Sequence, residues 1–362
     1  MGIAREDDDA SFLTEFYPEN HFSHIVIDEC HRSAWGKWSQ VLTRNPDAVH
    51  IGLTATPRSL KITEKTREAQ ADAKITADNL AYFGEPVYEY DMAQAIEDGY
   101  LAACLIQKGR VNLDDTGITI DDILAREPVD ADTGQPVSSD RLRQLYEKTD
   151  YENRILLPDR VSAMCADLFA YLCETGGPEQ KTIIFCTRDR HADDVAAEMN
   201  NLYARWCKEH GHPRAEPYAF KCTASASGND QLPDFRGASR HHFIATTVDL
   251  LTTGVDVPCV RNIAFFKYVK SPIAFYQMVG RGTRIDPPSG KLAFTVYDYT
   301  NATRLFGEEF LSRPTRSSEK REPSPPPEPP IRVEGFEVRV TPAGKYILTE
   351  VDGRAIPVTV EE

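Results

Sequence analysis

The residues with the clearest chemical potential are Asp28, Glu29 and His31, in the run His-Ile-Val-Ile-Asp-Glu-Cys-His at 24–31. A short apolar strand, Ile25–Ile27, delivers two adjacent carboxylates and a histidine at its end. In an open α/β sheet ligands bind at the carboxyl ends of the strands. Two acids placed there can divide the work of nucleoside triphosphate hydrolysis: Asp28 to hold Mg²⁺, through water, and Glu29 to polarise the attacking water. His31 would stand near the γ-phosphate and link it to neighbouring loops. A strand that ends in solvated acids looks the same, so this run alone leaves both readings open.

Two later groups extend the first. Gly52-Leu-Thr-Ala-Thr-Pro57 follows the next apolar run, and Thr54 and Thr56 suit hydrogen bonds that carry the state of the acidic corner to another domain. By itself such a string is also an ordinary threonine-rich turn. Further on, Gln277-Met-Val-Gly-Arg-Gly-Thr-Arg284 places Gln277, Arg281 and Arg284 at i, i+4 and i+7, which predicts one face of a helix. Guanidiniums presented together suit the charge of a transferring phosphoryl group, although structural ion pairs are another use for them. Gly254 and Asp256 lie in Thr-Thr-Gly-Val-Asp, and Gly280 in the later run. Thr187, Arg188, Arg190, Thr247, Lys267 and Lys270 cluster around neighbouring apolar runs as candidate contacts for DNA phosphates. General surface charge is the competing account of those cations.

The elements that must position these residues read as α/β. Apolar runs at Ile25–Ile27, His50–Leu53, Thr182–Cys186, Phe243–Ala245, Ile263–Phe266 and Leu292–Val296 have the look of buried parallel strands. Val161, Met164, Cys165, Leu168, Phe169 and Leu172 recur at helical spacing up to Gly176-Gly177, and a second helix is expected from Ala192 to Lys208. Strands alternating with helices imply parallel sheets with helical crossovers. Residues 111–150 are polar and weakly periodic, an expected connector or insertion between a first domain (1–110) and a second (151–313). Residues 314–330 are a proline-rich linker, and 331–362 read as a short β tail.

Composition narrows the class. A hydrophobic share of 41% and a charged share of 27% are those of a soluble globular protein, and no apolar run approaches a membrane span. The eight cysteines are scattered singly and read as reduced core thiols of a cytoplasmic protein. A net charge of −15 argues against DNA contact over the whole surface but leaves room for a local basic groove. Cys207, His210, His212 and Cys222 fit no closed zinc pattern well, and a helix end with exposed histidines is the plainer reading.

Taken together, Asp-Glu-Cys-His, Thr-Ala-Thr-Pro, Thr-Gly-Val-Asp and Gln-Met-Val-Gly-Arg-Gly-Thr-Arg resemble motifs II, III, V and VI of superfamily 2 helicases of the DEAD/DEAH-like kind, and Ile183–Thr187 resembles motif IV. Tyr82–Tyr90, Ala95–Leu101, Asp298–Thr300 and Ala302–Phe306 are similar to the motor (R) subunit of type I restriction enzymes, a likeness that covers roughly residues 1–310. The resemblance implies two RecA-like domains that clamp ATP and Mg²⁺ and translocate double-stranded DNA toward methyltransferase and specificity subunits. It assigns Asp28, Glu29, Arg281 and Arg284 to catalysis and His31, Thr54, Thr56 and Gln277 to coupling.

The sequence departs from that family at one place that matters. No Gly-x-x-x-x-Gly-Lys-Ser/Thr occurs in the 362 residues, so the amides and lysine that cradle phosphates are missing. The expectation is a central piece of such a subunit, its first RecA-like domain partial and its second complete, inactive in isolation. The alternatives are a superfamily 2 helicase of DNA repair and a non-enzymatic remnant that binds DNA or subunits.

Overall fold

The computed structural model describes residues 16–30, 39–54, 70, 81–90, 92–109, 123–130, 133–138, 155–223, 228–237, 240–248 and 256–306, with strand residues 337–341, 344–351 and 354–359. The chain divides into two compact units. One holds Met1–Asp91 with Lys270–Tyr276, the other Met92–Val269 with Gln277–Glu362.

In the first unit, β1 (His24–Ile27) and β2 (Val49–Gly52) pair in parallel, His24 opposite Val49 and Ile27 opposite Gly52. The short helix α1 (Ser39–Thr43) precedes β2. Both strands were expected at these positions, but as buried strands. Instead they alternate between exposed and half-buried, and Val26 is 60% exposed. A two-stranded sheet has too little area to cover both of its faces. Gly52 sits where a Cβ would come within 3.1 Å of Cys30 Sγ and the Phe83 ring, so its missing side chain lets that ring and thiol close on the strand.

In the second unit, α2 (Met92–Glu97) leads into a six-stranded, all-parallel sheet. Its strands are β3 (Ala103–Lys108), β6 (Thr182–Phe185), β7 (Ala219–Lys221), β8 (Ile244–Thr247), β9 (Asn262–Phe265) and β10 (Ala293–Asp298), in the order β3-β10-β9-β6-β8-β7. A separate two-residue pairing joins β4 (Val129–Asp130) to β5 (Ile155–Leu156). Every residue of β6, β8 and β9 is buried, as central parallel strands covered on both faces must be. The parallel sheets flanked by helices are those of the RecA-like class expected from the motifs. Two strands are additions to the expectation, β7 and β3. The boundary drawn at residue 110 would leave β3 with the first domain, but it is hydrogen-bonded along β10, Ala103 opposite Ala293 and Lys108 opposite Asp298.

Two long helices cover the sheet. α3 (Pro158–Glu174) starts with proline at its first position, where the missing N–H is no loss. It buries Val161, Met164, Cys165, Leu168, Phe169 and Leu172, the residues whose spacing foretold it. Thr175 closes its last turn, donating from both its N–H and its hydroxyl to the Tyr171 carbonyl, before Gly176 and Gly177 take up positive φ. α4 (Asp189–His210) is longer than the expected 192–208 and ends at Gly211 in the left-handed conformation. α3 and α4 pack on each other, and α4 lies against β7 and β8. At the centre of this core Tyr203 and Tyr218 stack with ring centroids 4.0 Å apart, their hydroxyls donating to Glu179 and to the Pro178 carbonyl.

Of three further features, one revises the sequence reading. The pair His241-His242 has His242 buried, and the carbonyls of both accept from Lys181 Nζ at 3.1 and 2.8 Å. α6 (Pro272–Val279), which follows α5 (Gly228–Gly237) in chain order, stops before Arg281, so Gln277, Arg281 and Arg284 do not share a helix face. Beyond Val279 the backbone closes three-residue turns: Arg281 N–H donates to Met278, Gly282 to Val279 and Thr283 to Gly280. The reason lies at Gly282, where a Cβ would fall inside the Phe294 ring; the turn packs flat on that ring. The β tail is an antiparallel sheet of β11 (Glu337–Thr341), β12 (Gly344–Val351) and β13 (Arg354–Thr359). The proline-rich linker lies outside the described residues.

Gly282 has no positive φ, so the constraint on it is steric. Gly282→Ala should cost about 1–3 kcal/mol through overpacking. Urea unfolding should show it as a lower midpoint at unchanged slope.

Candidate functional site

The acidic corner lies at the carboxyl end of β1. Leu53 N–H donates to the Ile27 carbonyl at 2.8 Å and Cys30 N–H to the Leu53 carbonyl at 2.9 Å, so the β1 and β2 ends are laced together. Between those bonds the chain makes a tight turn: Glu29 stands at φ +51, in the left-handed region, and its N–H donates to Asp28 Oδ1 at 2.9 Å. A non-glycine residue pays for that conformation, and such strain collects at functional sites. Asp28 is exposed, with Oδ2 left for a hard cation, and the Glu29 carboxylate is half-buried with Oε2 enclosed. An exposed carboxylate beside a fixed one fits the hard, oxygen-preferring Mg²⁺ ion. Thr54 is exposed just past β2. His31, Thr56 and Gly254 lie outside the described residues.

In the second unit the candidate residues separate into two places. Arg284 is exposed, forms an antiparallel bridge with Leu101, and pairs its Nε with Asp256 Oδ1 at 3.3 Å. Arg281 is half-buried in the preceding turn, Gly280 beside it, and Gln277 is in the last turn of α6. The ion pair weighed as an alternative use for these arginines is therefore present at Arg284. With both partners mostly exposed it holds the side chain only weakly.

The other candidates gather at the carboxyl edge of the six-stranded sheet. Thr187 and Arg188 follow β6, Arg190 and His191 open α4, Thr247 ends β8, and Lys267 follows β9, whereas Lys270 belongs to the first unit. Lys267 Nζ donates to the Val248 carbonyl at 3.2 Å. Three cations at this edge were not singled out from the sequence. Lys108 ends β3 and donates to Asn301, Arg304 donates to the Val269 carbonyl, and Arg160 is buried with its Nη2 on the Tyr299 carbonyl at 3.4 Å. Each follows or faces a strand end, but β3 was not recognised and Arg160 lies one turn into a helix. Asp298, at the end of β10, is buried and satisfied; it accepts the N–H groups of Thr300, Ala302 and Thr303 and the Thr303 hydroxyl, fixing the turn that carries Arg304.

Polar groups sealed below this edge make it sensitive. His191 is fully buried, and its Nδ1 accepts the Thr187 N–H at 3.3 Å. The Nε2 of His191 and the hydroxyls of Thr187 and Thr247 are enclosed with no hydrogen-bond partner among the described residues. Burial, with the nearby Arg160 guanidinium, pushes the His191 imidazole down to about 3.

The comparisons fall in register with this geometry. Residues 5–132 match the SWI2/SNF2 ATPase family, and residues 164–286 match the helicase conserved C-terminal domain. Together with the motifs these define a superfamily 2 helicase core. The chain is 32% identical over 314 residues to the type I restriction enzyme EcoAI endonuclease subunit of Escherichia coli, covering 85% of this chain and 35% of that one. It is 29% identical over 320 residues to the EcoKI endonuclease subunit of Escherichia coli strain K12, covering 85% and 24%. A fragment structure described as an HsdR subunit of a type I restriction enzyme from Vibrio vulnificus YJ016 superposes with TM-score 0.59 at 29% identity, over 83% of this chain and 47% of that one. The chain thus carries the superfamily 2 helicase core of a type I restriction enzyme R subunit, and it spans about a third or less of the curated relatives it matches. Among the described residues no helix is long and apolar enough to cross a membrane.

The state of His191 has a consequence for stability. The unfolded chain takes up a proton near pH 6.5, the folded one only near 3, so stability falls as pH drops through that window, by up to about 1.4 kcal/mol per unit. Thermal midpoints measured from pH 7 to pH 4 should fall in the parent, and His191→Asn should flatten the decline.

Proposed function

We propose that this chain is the ATP-dependent, double-stranded-DNA translocase module of a type I restriction motor subunit, acting with methyltransferase and specificity subunits. The observation that carries the reading is the sheet edge: in a chain of net charge −15, Lys108, Arg188, Arg190, Lys267 and Arg304 all stand at the carboxyl ends of one parallel sheet. Cations concentrated on one edge are the footprint of a phosphate backbone. Thr187 and Thr247 belong to the same edge, and their sealed hydroxyls become available only if it opens.

Within the reading, Asp28 is the group that holds Mg²⁺ and Glu29 the group that orients water. Arg281 and Arg284 meet the charge on the transferring phosphoryl group. Arg284 must first leave Asp256, which costs little because the pair is exposed. His31, Thr54, Thr56 and Gln277 couple the nucleotide to the second domain, with Gly254, Asp256 and Gly280 lining its edge. Mg²⁺, when bound, neutralises charge between the phosphates.

One observation favours a second reading, a DNA- or subunit-binding module without turnover of its own. The 362 residues include no Gly-x-x-x-x-Gly-Lys-Ser/Thr. We infer that the chain by itself binds DNA but does not hydrolyse ATP. Phosphate release with duplex DNA present should match a no-protein control, and Glu29→Gln should change nothing. DNA-stimulated turnover that Glu29→Gln abolishes would sink the inference of inactivity and favour the complete motor. When a polypeptide carrying a phosphate loop restores turnover, Arg281→Ala should lower it by roughly 10³-fold or more. Duplex binding should weaken steeply with salt, and binding that is indifferent to salt would remove the DNA reading itself.

A further inference from the structure

The segment between the two expected domains is more than a connector where it is described. Ile123 and Val137 are buried in the main core of the second unit, beside Leu157 and Val161. Arg126 Nη1 meets Asp159 Oδ2 at 2.5 Å, in the first turn of α3. Asp130 closes the intervening loop: its Oδ1 accepts the N–H and hydroxyl of Thr133, its carbonyl accepts the Gly134 N–H, and its own N–H donates to the Gln135 carbonyl. The loop is thus anchored at both ends and tied across its middle.

Its tip reaches the candidate DNA edge. Gly134 stands at φ +66, and a Cβ built on it would fall inside the guanidinium of Arg190, against Cζ, Nε and Nη1 alike. Near-equal approach to all three atoms means that the flat face of the guanidinium lies on the glycine. Stacking of this kind occupies the face and leaves the in-plane donors unused. Arg190 makes no hydrogen bond to a described residue, its nearest acid is Asp194 at 3.9 Å from Nε, and its side chain is 47% exposed. That separation is too long for a hydrogen bond. Burial raises the Asp194 carboxyl, against the pull of Arg190.

We propose that Gly134 is a positioning residue whose turn presets Arg190 as a contact for a DNA phosphate, which makes residues 133–137 part of the nucleic-acid surface. The inference rests on the DNA reading of the sheet edge. A guanidinium held by its face has lost most of its rotamer freedom before binding, and its planar fork matches two phosphate oxygens. Gly134 is required twice over, once for its positive φ and once for the space its missing side chain gives to Arg190.

Those two demands can be separated. Asparagine tolerates the left-handed backbone, so Gly134→Asn keeps the turn at small cost while driving a Cβ into the guanidinium. The experiment measures binding of the full chain to a short mixed-sequence duplex over a salt series, for the parent, Gly134→Asn, Arg190→Ala and the double variant. Losing one phosphate contact should reduce the slope of log K on log salt by about 1. At about 0.1 M salt that corresponds to a loss of affinity on the order of five- to tenfold. Gly134→Asn should reproduce most of the Arg190→Ala loss, and the double variant should bind no worse than Arg190→Ala alone. A Gly134→Asn chain that lowers the thermal midpoint yet keeps the parent slope overturns the positioning role. So does a loss that adds in full to that of Arg190→Ala, since it would then act through folding. A parent without salt-sensitive binding overturns instead the DNA reading on which the proposal stands.

Discussion

A parallel sheet must be covered on both faces, and it sends all its strand ends to one edge; the rest of the second unit follows from those two demands. β6, β8 and β9 are buried throughout, so α3 and α4 are obligatory cover and their apolar stripes are set by the strands beneath them. Because every neighbouring pair in the sheet is parallel, the residues after each strand collect along one rim. Lys108, Thr187, Thr247, Lys267 and Thr300 come from distant parts of the sequence and meet there for no other reason. The turns that carry them are secured by buried groups, Asp298 under one and His191 under another.

The first unit meets the same physics with less material. Two parallel strands cannot cover their own faces, and Val26, Val49 and Ile51 are left exposed. Against that weak frame stands a backbone cost of order 1–3 kcal/mol for holding Glu29 left-handed. The conformation survives because the hydrogen bonds on either side, Leu53 to Ile27 and Cys30 to Leu53, cannot both form unless the chain turns sharply between them. Cys30 is buried beyond the turn, close to Gly52, which anchors the exit. The geometry of the acidic corner is therefore a product of strand lacing and would survive replacement of the Glu29 carboxylate by an amide.

Much of this was legible in the sequence because strand and helix periods are written locally. The runs at β1, β2, β6, β8, β9 and β10 and the stripe of α3 announce themselves through apolar spacing alone. β7 is only three residues long, and β3 is exposed at Leu105 and Ile106, so neither has the apolar signature of a central strand. The spacing of Gln277, Arg281 and Arg284 was misleading because i, i+4, i+7 describes a helix only if the backbone continues as one. Gly282 and the Phe294 ring, far apart in sequence until the sheet forms, decide otherwise. The docking of residues 123–137 was invisible for a related reason. Its anchors are two apolar residues in a polar stretch and a glycine whose value lies in what it lacks.

Charge on this chain has to be read by position. A total of −15 would repel a polyanion if it were spread evenly, but beyond about 8–10 Å exposed charges are screened at ordinary salt. What counts is how the rim cations are paired. Lys267 and Arg304 donate to backbone carbonyls, which hold the side chains in place. Arg190 is held by a glycine, with the same effect. Two other acids of α4, Asp189 and Asp193, pair with Lys221 at 3.5 and 2.8 Å. Arg284, by contrast, is matched with a carboxylate, so its charge is spoken for until something stronger than an exposed aspartate arrives. A phosphoryl group is such a competitor, and a second carboxylate is not. The two sets of cations are thus built differently: one is fixed in position by backbone groups, the other is held by a carboxylate until an anion displaces it.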